Sequence, residues 1–367
     1  MNTMTSPRFD HLRRLTDSQG LLQVARGDVP DRFSGYDAID NATALRLCAI
    51  GSQTVESDVS HLLTKKYFGF LSRGRRYDSG VRHHCDSTGG WTMQGDDALV
   101  QSYLARSLAA VIVSELPIRV RLAAADWWRM LLDEHASRVE TPLAAANWLI
   151  AIGQLRAADP GRDLDRAECL AHWLLEDWYY PNRTNGWEWY DAQWTPLAAT
   201  VPTALWYAYH CLGERRIFRV AQAMTQFVVD HLFRDGMLQP VGTQGTWSRN
   251  SNPPQYAQLP GEVYSIVELL CTAERISGTM SYGDYAELAA RWFDGHNSKG
   301  AVMVDPSTGG CYNALTADGP DRNQSANAVL ACLLTHAALA ARPVRVEETI
   351  RSLRQEEYVY SDPSIGS

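Results

Sequence analysis

The stretch 305–324, DPSTGGCYNALTADGPDRNQ, packs two glycine- or proline-bearing turns, the pair Cys311-Tyr312 and the polar triplet Arg322-Asn323-Gln324 into one loop. Loops this long between helices usually have a task, such as walling a binding site. A guanidinium beside two amides can fix a polar ligand, or it can tie the loop to its neighbours. A second group, Trp187, Trp189, Tyr190 and Trp194, offers flat ring faces for stacking on a sugar, or simply for packing. Adjacent Asp96 and Asp97 repel one another, so one of them could hold a proton near neutral pH. The same pair could instead cap the helix that follows. His83-His84-Cys85 has metal-binding residue types, but adjacent histidines diverge and no second cluster completes a set, so no metal or other cofactor is expected.

These loops must be carried by helices. Apolar residues recur at three- and four-residue steps over Asp40–Ile50, Val55–Phe70, Asp97–Val113, Pro117–Asp133, Pro142–Leu155 and Asp163–Trp178. The pattern resumes over Leu197–Leu212, Arg215–Phe233, Glu262–Ile276, Tyr282–Phe293, Asn323–Ala341 and Val344–Leu353. Thr141-Pro142 and Thr195-Pro196 read as helix starts, Gly213 and Gly278 as stops. Short connections alternate with long ones rich in Gly, Trp and polar residues. About twelve helices so joined predict an all-α fold, an (α/α)6 toroid with long loops at one end. No linker divides the chain, so a single domain is expected over residues 1–367, with 1–7 and 355–367 as loose ends.

Of the 367 residues 45% are hydrophobic and 21% charged, enough for a large core. The net charge of −8, without a basic stripe, argues against nucleic acid and anionic membrane as partners. Seven scattered cysteines and the absence of an apolar leader point to the cytoplasm. The adjacent Trp127 and Trp128 read as core.

The opening segment, FDHLRRLTDSQGLLQVARGDVPDRFSGYDAIDNATAL, resembles the start of the six-hairpin glycosidase-like domain associated with family 4 glycosyltransferases. DPSTGGCYNALTADGPDRNQSANAVLACLL is similar to that family's closing motif, and residues 256–262 to a motif between them. The resemblance spans nearly the whole chain and implies the toroid fold and carbohydrate chemistry. It implies a small-molecule or oligosaccharide substrate, and a glycosyltransferase as a candidate partner. It also places Tyr36, Asn41, Gln258, Tyr312, Arg322, Asn323 and Gln324 at substrate-binding positions. Departures fall on polar positions. The first acid of the family's pair is Ile39 here, its arginine is Thr43, and acids are missing at Leu197, Ala257 and Asn327. A diverged activity is therefore expected.

Glycoside cleavage needs one carboxylic acid to protonate the leaving oxygen and one carboxylate as base or nucleophile. The carboxylates that survive from the family pattern are Asp40, Asp96, Asp97 and Glu262, with Asp191 and Asp321 behind them. Asp40 and Glu262 sit near helix N-termini, where the dipole favours the ionised form. The expected assignment is Asp96 or Asp97 as acid and Glu262 or Asp40 as base. Each has a structural alternative: a cap for the aspartates and a first-turn acid for Glu262. Two other classes stay open. One is a non-catalytic carbohydrate-binding or scaffold descendant. The other is an isoprenoid-cyclase-like toroid, faintly echoed by Asp37-Ala38-Ile39-Asp40 and Gln244-Gly245-Thr246-Trp247.

Overall fold

A computed structural model describes residues 8–52, 57–92, 97–156 and 163–342. Its helices are α1 (Asp10–Leu15), α2 (Ala38–Gly51), α3 (Ser57–Gly74), α4 (Asp97–Val113), α5 (Ile118–His135), α6 (Pro142–Leu155) and α7 (Leu164–Trp173). A π-helical turn (Leu174–Tyr179) extends α7 into the short α8 (Tyr180–Asn182). There follow α9 (Thr200–Leu212), α10 (Arg215–Leu232), α11 (Pro260–Ser277), α12 (Met280–Ala290) and α13 (Ala326–Ala340). The expected helix at Val344–Leu353 lies outside the described residues.

Six helices form a closed inner ring. Each of α2, α4, α6, α9, α11 and α13 packs against the next, and α13 returns to α2. The outer layer is α3 on α2, α5 on α4, α7 against α6 and α9, α10 on α9, α12 on α11 and α1 on α13. This is the (α/α)6 toroid expected from the sequence. The composition of each layer explains it. Inner helices are buried on both sides, so they are apolar or small nearly all round, as in PLAAANWLIAIGQL of α6. Outer helices bury one stripe, as α10 does with Ile217, Val220, Ala221, Met224, Phe227 and Val228. Trp127 and Trp128 are indeed core, each 2% exposed. Among the described residues no helix is long and apolar enough to cross a membrane.

Local signals act as the sequence predicts at several ends. The Thr141 hydroxyl accepts from the Ala144 N–H, ahead of Pro142. Gly213 and Gly278 close α9 and α11 in the left-handed conformation, at φ of 71° and 73°. Thr195-Pro196 is a correction: it opens a turn, and the helix begins only at Thr200. Leu197 sits at φ 60°, which a helix cannot continue through. Asn323 and Gln324 likewise precede α13 rather than begin it, because their side chains bond to the loop. Short ladders stiffen the loops, including Tyr36–Asp37 against His84–Cys85 and Ala314–Thr316 against Gly319–Asp321.

The inner ring tolerates little added volume. A Cβ on Gly153 of α6 would lie 2.7 Å from Cδ1 of Tyr207 on α9 and 2.8 Å from its Cβ. Gly153→Ala is therefore expected to destabilise the protein by about 1–3 kcal/mol. Urea unfolding would read this as a lowered midpoint with an unchanged slope.

Candidate functional site

A cavity of about 240 Å³ opens at the end of the toroid where inner helices begin. First-turn residues ring it: Asp40 from α2, Thr200 from α9, Glu262 from α11 and Asn327 from α13. Deeper down it is floored by Arg46, Arg106, Tyr103, Tyr264 and Glu268. Arg46, Tyr264 and Glu268 also line a second cavity of about 160 Å³ near the helix C-termini, so this charged layer plugs the toroid axis.

Asp40 owes its freedom to a neighbour. The helix begins two residues earlier than expected, and Asp37 is its N-cap, accepting from the N–H groups of Ile39 and Asp40 at 2.7 and 3.1 Å. Asp40 thus projects from the first turn into the cavity, and its carboxyl has no hydrogen-bond partner among the described residues. Burial raises its pKa well above the usual carboxylate range, and the nearby Asp37 charge adds to the shift. The cap can be separated from the charge. Asp37→Asn keeps a capping side chain, so stability should change by only a few tenths of a kcal/mol. The Asp40 pKa should then fall, which carboxyl carbon NMR titration would detect.

Glu262 is 4% exposed and is held at both oxygens. Trp194 Nε1 donates to Oε1 at 2.7 Å and the Leu197 N–H to Oε2 at 2.8 Å. The second bond gives the left-handed Leu197 a purpose, since the unusual turn aims that N–H at the carboxylate. Burial pushes Glu262 up to about 7, outweighing the two donors. It can therefore exchange a proton near neutral pH.

The floor is electrostatically different. Arg106 Nη2 donates to Glu268 Oε1 at 2.6 Å and its Nη1 to Asn147 Oδ1 at 3.0 Å, while Arg46 bonds to both Glu268 and Tyr264. Burial alone would raise Glu268, but Arg106 and Arg46 hold it down at about 2. Glu268 is thus held as an anion, whereas Asp40 and Glu262 above it have raised proton affinity. None of these floor residues was singled out from the sequence. The signal was present: Arg46, Arg106 and Glu268 are lone charges inside otherwise apolar runs (ALRLCAI, YLARSLA, SIVELLC), and a buried charge must find a partner.

Those of the remaining expected residues that are described lie off the cavity lining. Asp97 is on the surface, paired with Arg76 at 2.7 Å and bonded to Gln101 at 2.9 Å, which replaces the expectation that it serves as acid. Asp96 lies outside the described residues. Trp187, Trp189, Tyr190 and Trp194 are each under 7% exposed, and their faces are spent on packing. Trp189 stacks on Trp194 at 4.5 Å and on Phe227 at 5.4 Å, and Trp187 meets Trp247 at 5.1 Å. Only the Trp194 N–H reaches the site, through Glu262. Tyr36 donates to Asp17 at 2.7 Å, and Asn41 ties Leu21 to the Asp37 carbonyl. Gln258 accepts from Trp292 at 2.8 Å. Asn323 accepts from the Gly27 N–H at 2.8 Å, and Gln324 binds Thr308 and Asp305, so both tie the closing loop. Arg322 is exposed and Tyr312 half-buried, and neither lines the cavity. From that loop Asn313 does. One cluster with metal-capable atoms, Glu168, His172 and Glu214, lies away from the cavity, where Arg216 already pairs with Glu214 at 2.8 Å.

No known family description matches the sequence, and no curated protein does. Solved structures do. A sugar epimerase from a ruminal bacterium superposes with a TM-score of 0.71 at 14% identity, over 92% of this chain and 96% of that one. A cellobiose 2-epimerase from Bacillus thermoamylovorans gives 0.69 at 12%, over 90% and 96%. An α-1,6-mannanase from Salegentibacter sp. gives 0.64 at 13%, again over 90% and 96%. At such identities the likeness is one of fold, and the chain has the (α/α)6 toroid of these sugar-processing enzymes.

Proposed function

We propose that this protein is a carbohydrate-active enzyme, glycoside hydrolase-like, that works on a sugar or glycosylated small molecule by carboxyl acid–base chemistry. One observation carries the reading. Two carboxyl groups of raised proton affinity, Asp40 and Glu262, line one cavity at the mouth of a toroid whose fold is shared with mannanases and sugar epimerases. Asp40, with no donor to stabilise its charge, is the acid. Glu262, whose anion is steadied by Trp194 and Leu197, is the base. The charged floor supports a polar substrate over the apolar cavity that a carbocation cyclase needs. Two proton-carrying carboxyls on one cavity support an enzyme over a binding-only descendant. Seven free cysteines support a reducing compartment, and the terminal motifs support action beside a glycosyltransferase.

A second reading has one specific support. The cavity is smaller than the roughly 300–1,000 Å³ of most ligand sites, a size suited to one ring rather than a chain. Proton transfer at the carbon beside a sugar carbonyl, as in an epimerase or isomerase, would suit that space. Incubating the protein with free hexoses and with aryl and disaccharide glycosides in D2O, followed by proton NMR, separates the readings. Released reducing sugar supports hydrolysis, and deuterium at C2 without cleavage supports epimerisation. Neither signal across manno, gluco and galacto configurations would overturn the enzyme reading.

A further inference from the structure

The floor of the cavity carries more positive charge than the protein itself neutralises. Arg46 and Arg106 are 6% and 3% exposed, on neighbouring inner helices, and they share one permanent counter-charge, Glu268. Arg46 makes its hydrogen bonds through Nη2 alone, with its guanidinium also over the Tyr264 ring at 5.6 Å, and the Nε–H groups of both arginines are buried with no hydrogen-bond partner among the described residues. The first turns of α2, α9, α11 and α13 also ring the cavity, each adding the partial positive charge of a helix N-terminus. The mouth carboxyls do not pair with these arginines: Asp40 is the acid and keeps its proton at rest, and both Glu262 oxygens are taken by Trp194 and the Leu197 N–H. A buried excess cation is costly unless something pairs with it.

The site has depth as well as sign. Glu268 follows Glu262 by six residues on α11, and Arg46 follows Asp40 by six on α2. At the rise of an α-helix, six residues place the floor about 9 Å below the mouth. A single sugar ring held between these layers would present one end to Asp40 and Glu262 and the opposite substituent to the arginines.

We propose that the substrate is an anionic monosaccharide unit, a sugar acid or comparable small acidic sugar, bound with its anionic group against Arg46 and Arg106 and its reacting end at the mouth. This rests on the sugar-enzyme reading above and adds the charge and orientation of the substrate. Charge-assisted bonds from guanidinium to carboxylate are among the stronger polar contacts, and they discriminate against neutral analogues that leave the donors unpaired.

The test is calorimetric binding at about pH 6, where Glu262 is largely protonated. The ligands are glucuronate and galacturonate beside glucose and galactose, with a hexose 6-phosphate as a second anion. The expected result is at least about tenfold tighter binding of one acidic sugar than of its neutral counterpart. Which anion binds tighter distinguishes carboxylate from phosphate recognition. Arg46→Met leaves Glu268 paired with Arg106 and should abolish that preference, while Arg46→Lys should keep part of it. Equal binding of acidic and neutral sugars would overturn the proposal and leave the sugar-enzyme reading intact. Binding of neither would overturn both. A preference that persists in folded Arg46→Met would also overturn it, leaving the arginines as internal struts.

Discussion

Glu262→Gln is expected to lower kcat/KM by about 10²–10⁴-fold, the span typical of removing a positioned acid–base group. The substitution keeps the shape of the side chain in its slot between Trp194 and the Leu197 N–H. It removes one of two acceptors, leaving a buried donor short at a pH-independent cost of about 1–3 kcal/mol. Its second signature is a pH dependence of stability. Glu262 is an acid whose folded pKa, about 7, lies above its ordinary 4.5, so the folded state binds the extra proton. The resulting penalty is absent below the ordinary value, grows as pH rises through the interval, and is complete above about 7. The span corresponds to about 3 kcal/mol. Glutamine never carries that penalty. Relative to wild type, the variant should therefore gain stability steadily from acid to weakly alkaline pH. Parallel urea midpoints at several pH values check this, and a flat difference would show that Glu262 titrates normally.

Glu268→Gln should be the most damaging single change to stability, at about 3–5 kcal/mol. It leaves two guanidiniums buried side by side with no anion between them. The loss should be largest where Glu268 is ionised, which is everywhere above about pH 2. Exchanging all three charges for apolar residues of similar volume should restore much of the stability, because the desolvation cost then disappears with the pairing. The comparison separates the role of the triad in folding from any role in binding. A Glu268→Gln protein with an unchanged urea midpoint would mean that water reaches the floor and screens the arginines.

The parts of the fold written in local chemistry were legible in the sequence. Thr141-Pro142 starts a helix because a hydroxyl and a ring without an N–H suit its first turn, and Gly278 ends one because glycine accepts a left-handed backbone. The closed ring followed from helix spacing and the alternation of short and long loops. What failed depended on partners distant in sequence. Asp40 looked like a cap because its rival Asp37 lies one turn earlier, and only the backbone decides which aspartate faces the N–H groups. Asp97 looked like a catalytic acid until Arg76, 21 residues away, claimed it. The tryptophans near position 190 looked like a stacking platform, yet Phe227 and Trp247 from later segments cover their faces. The charged floor was missed because Arg46, Arg106 and Glu268 come from three helices and acquire meaning only together.

The most direct test of the carboxyl pair is to compare Asp40→Asn, Glu262→Gln and Asp97→Asn on whichever sugar substrate the protein turns over, with thermal midpoints measured alongside. Asp40→Asn and Glu262→Gln should each lose at least about a hundredfold in kcat/KM while remaining folded, and Asp97→Asn should stay within a few-fold of wild type. An inactive Asp97→Asn beside a fully active, folded Asp40→Asn would move the chemistry out of the cavity and contradict the account.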